Sequence, residues 1–141
     1  MAERARDIAR WVLAVGLLLA GLSHLGWQRE QFQAQVPSWL DVDKDLVVLA
    51  SGVAEIALGL ALLVSRERRT AAGWVTAAFF VLIFPGNIAQ YVEQTDAFGL
   101  DSDQARAARL AFQPALVVWA LWCTGAWRAW RAARSQARPE R

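Results

Sequence analysis

Apolar positions dominate four stretches of the chain, Ile8–Trp27, Leu46–Val64, Ala71–Val92 and Leu110–Trp130, with polar residues crowded between them. Each stretch is close to the ~20 residues a helix needs to cross the hydrocarbon of a bilayer. There every backbone N–H and C=O must be satisfied within the segment, so runs of this length are helical. The pattern predicts an all-α fold, a transmembrane antiparallel four-helix bundle in a single membrane domain. The short link Ser65–Thr70 makes the second and third spans antiparallel neighbours. The N-terminus, three connections and tail leave no room for a soluble domain.

The exceptions to the pattern carry the information. Glu55 is the only charge between Leu46 and Val64, about 13 Å along a helix from either end. A carboxylate there costs a few kcal/mol, so it is expected to face the interior, protonated or partnered, and to mark a site. His24, Ser51, Asn87 and Gln113 are further polar interruptions, singled out because they fall in the outer halves of the runs; Arg109 precedes Gln113 by one turn. Counted from the outer ends of the runs, His24 and Gln113 lie about 4–5 Å deep, Ser51 and Asn87 about 7–8 Å, and Glu55 deepest. No comparable group is read in the inner half. The expectation is a polar vestibule open to the outer side with Glu55 as its floor. A direct His24–Glu55 pair is not expected, because the vertical gap is about 9 Å. Gly16, Ala20 and His24 recur every fourth residue, a stripe expected to let helices approach closely. Pro85 is expected to kink or break the third span and free a carbonyl near Val81. Asp101 or Ser102 is a plausible N-cap for the fourth.

Each residue also has a plainer reading. Glu55 could be a structural acid bonded to a backbone carbonyl, His24 an interface residue, Asn87 and Gln113 interhelical glue, and Arg106 and Arg109 headgroup anchors.

Composition supports the membrane reading: 56% of residues are hydrophobic and eight are tryptophan, too apolar for a soluble domain of 141 residues. Eleven of the fifteen basic residues fall in the N-terminus, the second connection and the tail, so both termini are expected in the cytoplasm. The basic N-terminus reads as the start of a retained span rather than a signal peptide, since no small-x-small cleavage site follows. The arginines flank apolar runs, which argues against nucleic acid as a partner. Cys123 is alone, which excludes an intrachain disulfide, a CxxC pair and a cysteine-based zinc site.

Five phrases, Gly21–His24 (Gly-x-x-His), Val36-Pro37-x-Trp39-Leu40, Ser51-Gly52-x-x-Glu55-Ile56-x-Leu58-Gly59, Phe84-Pro85-x-Asn87-Ile88 and Arg109-Leu110-x-x-Gln113, occur in this order along nearly the whole chain. Together they make the chain resemble the DoxX-like family of small four-span membrane proteins. The resemblance implies a multi-pass protein of the bacterial plasma membrane and marks His24, Glu55, Asn87, Arg109 and Gln113 as motif positions. Some relatives are linked to quinone-reducing thiosulfate oxidation, others to thiol stress or enzyme maturation.

The leading expectation is a quinone-associated redox component. Asn87, Gln113 or His24 would donate hydrogen bonds to the quinone carbonyls, Glu55 would carry the proton as the catalytic group, and Ser51 and Arg109 would complete the ligand-binding set. No flavin, haem or iron–sulfur motif is legible, so electrons would come from a partner redox protein. The alternatives are a non-enzymatic scaffold or maturation factor, working through a partner or as a homo-oligomer, and a small-molecule carrier. The one-sided polar layer argues against the carrier.

Overall fold

In the computed structural model, which describes residues 1–64 and 67–136, the chain forms six helices and, among those residues, no strand. Arg66, Arg138 and Arg141, which contribute to the basic-residue count, lie outside the described residues. Helices α1 (Ala2–Leu25), α3 (Lys44–Val64) and α4 (Arg69–Val92) are each long and apolar enough to cross a membrane. A short helix α2 (Arg29–Gln33) lies in the first connection.

The fourth apolar run is not one helix. It is divided between α5 (Asp103–Cys123) and α6 (Ala126–Gln136), bent by 66°; only taken together are they long and apolar enough for a fourth span. The break is local chemistry. Gly125 sits at φ +73, open to glycine but strained for other residues. The Thr124 hydroxyl donates to the Ala120 carbonyl at 2.6 Å, satisfying one of the last acceptors of α5. Hydropathy runs on through Trp127 and Trp130 and so hides the bend. At the other end of α5, the Ser102 hydroxyl accepts from the Ala105 amide at 3.3 Å, so Ser102 is the cap. Pro85 does not end α4, which is continuous through it.

Two intimate pairings build the molecule, α1 with α3 and α4 with α5. Along the first, Gly21 lies against Gly52, Ala14 against Gly59 and Arg10 against Leu62, so the two helices run in opposite directions. A Cβ on Gly21 would sit 2.6 Å from the Gly52 carbonyl oxygen, which makes this a backbone-to-backbone crossing. The small-residue stripe read from the sequence is not the one used. Gly16 has nothing within 4 Å of a Cβ position; it and Ala20 face a cavity instead. The glycines that meet lie one position round the helix, at Gly21 and Gly52.

Away from α2, Leu13, Leu17, Leu58, Leu62, Phe80 and Ala120 belong to one buried cluster. Trp119 ties α5 to α1 there, its indole N–H donating to the Ala9 carbonyl at 3.1 Å. This half also contains polar groups, contrary to the reading of an inner half without any. Arg10 is 4% exposed and its guanidinium donates to the Leu62 carbonyl and, at 3.3 Å, to Asp7. Thr76 is fully buried, its hydroxyl without a partner. The sequence reading counted Arg10 with the basic N-terminus, although it falls just inside the first apolar run. Because α1 begins at Ala2, it lies well inside the helix, where it satisfies one of the last four carbonyls of α3.

Candidate functional site

The looser fit is between the pairs, and there the structure leaves a cavity of about 1220 Å³, beyond the ~300–1,000 Å³ of ordinary small-molecule pockets. His24, Ser51, Glu55, Asn87, Arg109 and Gln113 all line it, though they come from four helices. Its body is apolar, walled by side chains such as Leu17, Phe79, Ile83, Leu116 and Trp119. Six other lining residues, Val12, Leu19, Trp27, Trp39, Leu82 and Phe112, are at least half exposed. Trp27 and Trp39 flank the first connection, while Val12, Leu19, Leu82 and Phe112 lie on the sides of α1, α4 and α5, so the cavity is open on a side of the helices as well as at their ends.

His24 and Glu55 meet directly, Nδ1 to Oε2 at 3.0 Å, each about 8% exposed. The expected separation fails for a stereochemical reason. The axial gap of about 9 Å was counted between backbone positions, yet side chains lean towards the N-terminus of their own helix. In helices of opposite direction His24 and Glu55 therefore lean towards each other. The Gly21–Gly52 crossing, one turn away, removes the sideways distance: a Cβ on Gly52 would touch the His24 Cβ at 2.7 Å.

The pair is close but incompletely bonded. His24 Nδ1 also lies 2.8 Å from the Ala20 carbonyl oxygen, which only accepts, so Nδ1 carries the proton and directs it there. Glu55 Oε2 is left buried without a hydrogen bond. An unsatisfied carboxylate oxygen in an apolar cavity costs about 1–3 kcal/mol, more if charged, and is a ready acceptor or proton carrier for anything that enters.

Opposite it, the amides form a chain of donors with one polarity. Arg109 Nε donates to Asn87 Oδ1 at 3.4 Å, Asn87 Nδ2 to Gln113 Oε1 at 2.9 Å, and Gln113 Nε2 to the Phe80 carbonyl at 2.8 Å. The sequence expected a freed carbonyl near Val81; the one Gln113 engages is its neighbour, one turn before Pro85. Each amide is locked by the next, and the chain starts at the Arg109 guanidinium, which lines the same cavity as Glu55. Ser51 is on the wall with its hydroxyl committed to the Val48 carbonyl at 2.9 Å. Arg106, one turn before Arg109, is drawn away by Asp96 at 2.7 Å, Asp103 at 2.8 Å and the Leu100 carbonyl at 3.1 Å. Among the described residues no group of three or more His, Cys, Asp or Glu could hold a metal ion.

The sequence reading missed the roof. Phe32 of α2 stacks on His24 at 3.4 Å between ring centroids, meets Phe98 edge-on at 4.6 Å, and Arg109 lies over Phe98 at 5.1 Å. Gln35 belongs to it too, its amide oxygen accepting from Arg109, at 3.1 Å from Nε, in the orientation that satisfies both groups. The available signal was a buried-type aromatic, Phe32 or Phe98, inside each of two polar connections.

The chain belongs to the family described as "Domain of unknown function (DUF8561)", whose model matches residues 13–124. That region holds every polar residue of the site and stops before α6. No curated protein and no solved structure matches the chain.

Proposed function

We propose that the chain is an integral protein of the bacterial plasma membrane, a DoxX-like antiparallel four-helix bundle with both termini cytoplasmic. Its cavity binds a membrane quinone. The observation that carries this reading is the match between the cavity and an amphipathic, lipid-borne molecule. An apolar body of that volume takes an isoprenoid tail, the lateral mouth admits it from the bilayer, and the polar end presents donors and an acid together. The basic-residue asymmetry supports the orientation.

In this reading Arg109 and the amide chain bind and orient the quinone carbonyls. Glu55, its Oε2 unbonded, passes a proton to a carbonyl oxygen as two electrons arrive from a partner redox protein, and two protons in all complete the quinol. His24, stacked under Phe32, walls the carboxylate on one side. Ser51 shapes the wall.

The test is binding and turnover in nanodiscs. Purified protein is titrated with a short-chain ubiquinone analogue and followed by tryptophan fluorescence, with Trp119 in the wall as an internal reporter. Saturable quenching that Asn87→Leu and Arg109→Leu weaken, with quinone-linked activity lost in Glu55→Gln, supports the reading. No saturable binding, with that activity intact in Glu55→Gln, overturns it.

A further inference from the structure

We propose that α6 is a membrane-surface helix that binds the anionic phospholipid headgroups of the leaflet in which α5 ends. The inference rests on the proposed four-span reading, with α5, 21 residues long, making the fourth crossing by itself; it concerns a different surface, beyond the residues matched by the family model.

Three observations converge on it. The first is position. A helix bent 66° from a spanning one runs within about 24° of the membrane plane when the span is upright, and Gly125 at φ +73 fixes the bend. The second is the distribution of residues around α6. Only Ala126 is buried; Trp127 and Trp130 are exposed on one side with Arg134 between them, Arg131 at the edge of that side, and Arg128 and Ser135 beyond it. Tryptophan, small apolar residues and arginine, with no acid among them, make up helices that lie in the headgroup boundary. The two ring centroids lie 5.0 Å apart, a paired apolar surface that stays partly exposed in the structure.

The third observation is charge. Helix α6 holds three arginines and no acid. Among the described residues none of the three pairs with a carboxylate, although other arginines form four such pairs. Arg134 lies over Trp130 at 4.8 Å, which holds its stem along the indole and leaves the guanidinium edge free. Arginine binds phosphate with two parallel N–H donors, so the unpaired guanidiniums at a bilayer surface fit lipid phosphates. Each is worth about fivefold in surface partitioning, or about 1 kcal/mol, on an anionic leaflet.

The experiment places a nitroxide on the full chain with Cys123 replaced by alanine, in nanodiscs of phosphatidylcholine with one quarter phosphatidylglycerol. Labels at Ala133→Cys and Ser135→Cys report the two faces of α6. A label at Val118→Cys, on the exposed side of α5, reports whether the span itself is in lipid. Accessibility to dissolved oxygen against a polar nickel complex gives depth. Expected is a lipid-facing Ala133 label, an aqueous Ser135 label, and loss of the difference when Arg128, Arg131 and Arg134 are all changed to glutamine. That change lowers partitioning by about a hundredfold, and lysine at the three positions restores much of it. An aqueous Ala133 label with Val118 in lipid overturns the proposal and leaves α6 to a protein partner. An Ala133 depth indifferent to lipid charge and to the glutamine changes overturns the headgroup assignment. A Val118 label in water overturns the membrane reading itself, a separate failure.

Discussion

Gly21→Ala isolates the crossing that brings His24 to Glu55. The added methyl would lie 2.6 Å from the Gly52 carbonyl oxygen, 2.7 Å from Ile56 Cγ1 and 3.0 Å from the Ile56 amide nitrogen. Two of the three contacts are backbone, so no rotamer change relieves them and α1 must move off α3. Overpacking of this kind costs up to about 3 kcal/mol. Alanine returns about 1 kcal/mol of helix propensity, so Gly21→Ala is destabilised by about 2 kcal/mol. Gly16→Ala is the control: with nothing within 4 Å, it gains about 1 kcal/mol. The two variants should differ by about 3 kcal/mol in reversible unfolding by sodium dodecyl sulfate in mixed micelles, followed by far-ultraviolet circular dichroism. The His24 ring signals in an NMR spectrum should shift in Gly21→Ala alone. Equal stability of the two variants, or an unmoved His24 in Gly21→Ala, would refute a glycine crossing as the cause of the His24–Glu55 contact.

Gln113→Leu removes a donor to the Phe80 carbonyl and an acceptor for Asn87, and should cost about 1 kcal/mol, the scale of interhelical hydrogen bonds in membranes, by the same unfolding assay. Phe32→Ala strips the stack from His24 and the edge contact from Phe98, and should raise hydrogen exchange at residues 28–36 while leaving α4 and α5 protected. Glu93 accepts from the Ser38 hydroxyl at 2.7 Å and the Ser38 amide at 3.2 Å, which holds its carboxyl below the ordinary value of 4.5. Because the folded value is the lower one, this tether contributes at neutral pH and is lost as pH falls below 4.5 and through the folded value. Exchange at residues 36–40 should therefore rise in acid, and Ser38→Ala should remove that pH dependence.

What could be read without coordinates was one-dimensional. Apolar runs located the helices, and the expense of polar groups in such runs picked out His24, Ser51, Glu55, Asn87, Arg109 and Gln113, all of which line one cavity. Quantities that depend on direction were lost. Depth counted along an axis separated His24 from Glu55, because it ignored how side chains lean. The stripe at Gly16 and Ala20 and the contact at Gly21 differ by a rotation about the helix, and spacing alone does not say which face meets a neighbour. Arg10 was counted with the basic N-terminus since hydropathy does not show that a helix begins eight residues earlier. The bend at Gly125 was invisible because tryptophan is equally at home in a span and at a surface.

If the proposed ligand occupies the volume between the two tightly joined pairs, it becomes part of the architecture. A soluble protein of this size fills its centre with its own leucines; on the proposed reading the fill is left to something that arrives from the lipid. Occupancy and stability are then one quantity read in two ways: a molecule present at a hundred times its dissociation constant adds about 2.7 kcal/mol to the folded state. Extraction into a detergent that strips lipids would then remove a structural component along with the bilayer. The melting temperature of the purified protein should thus act as a binding assay for any compound that fits, before its chemistry is known.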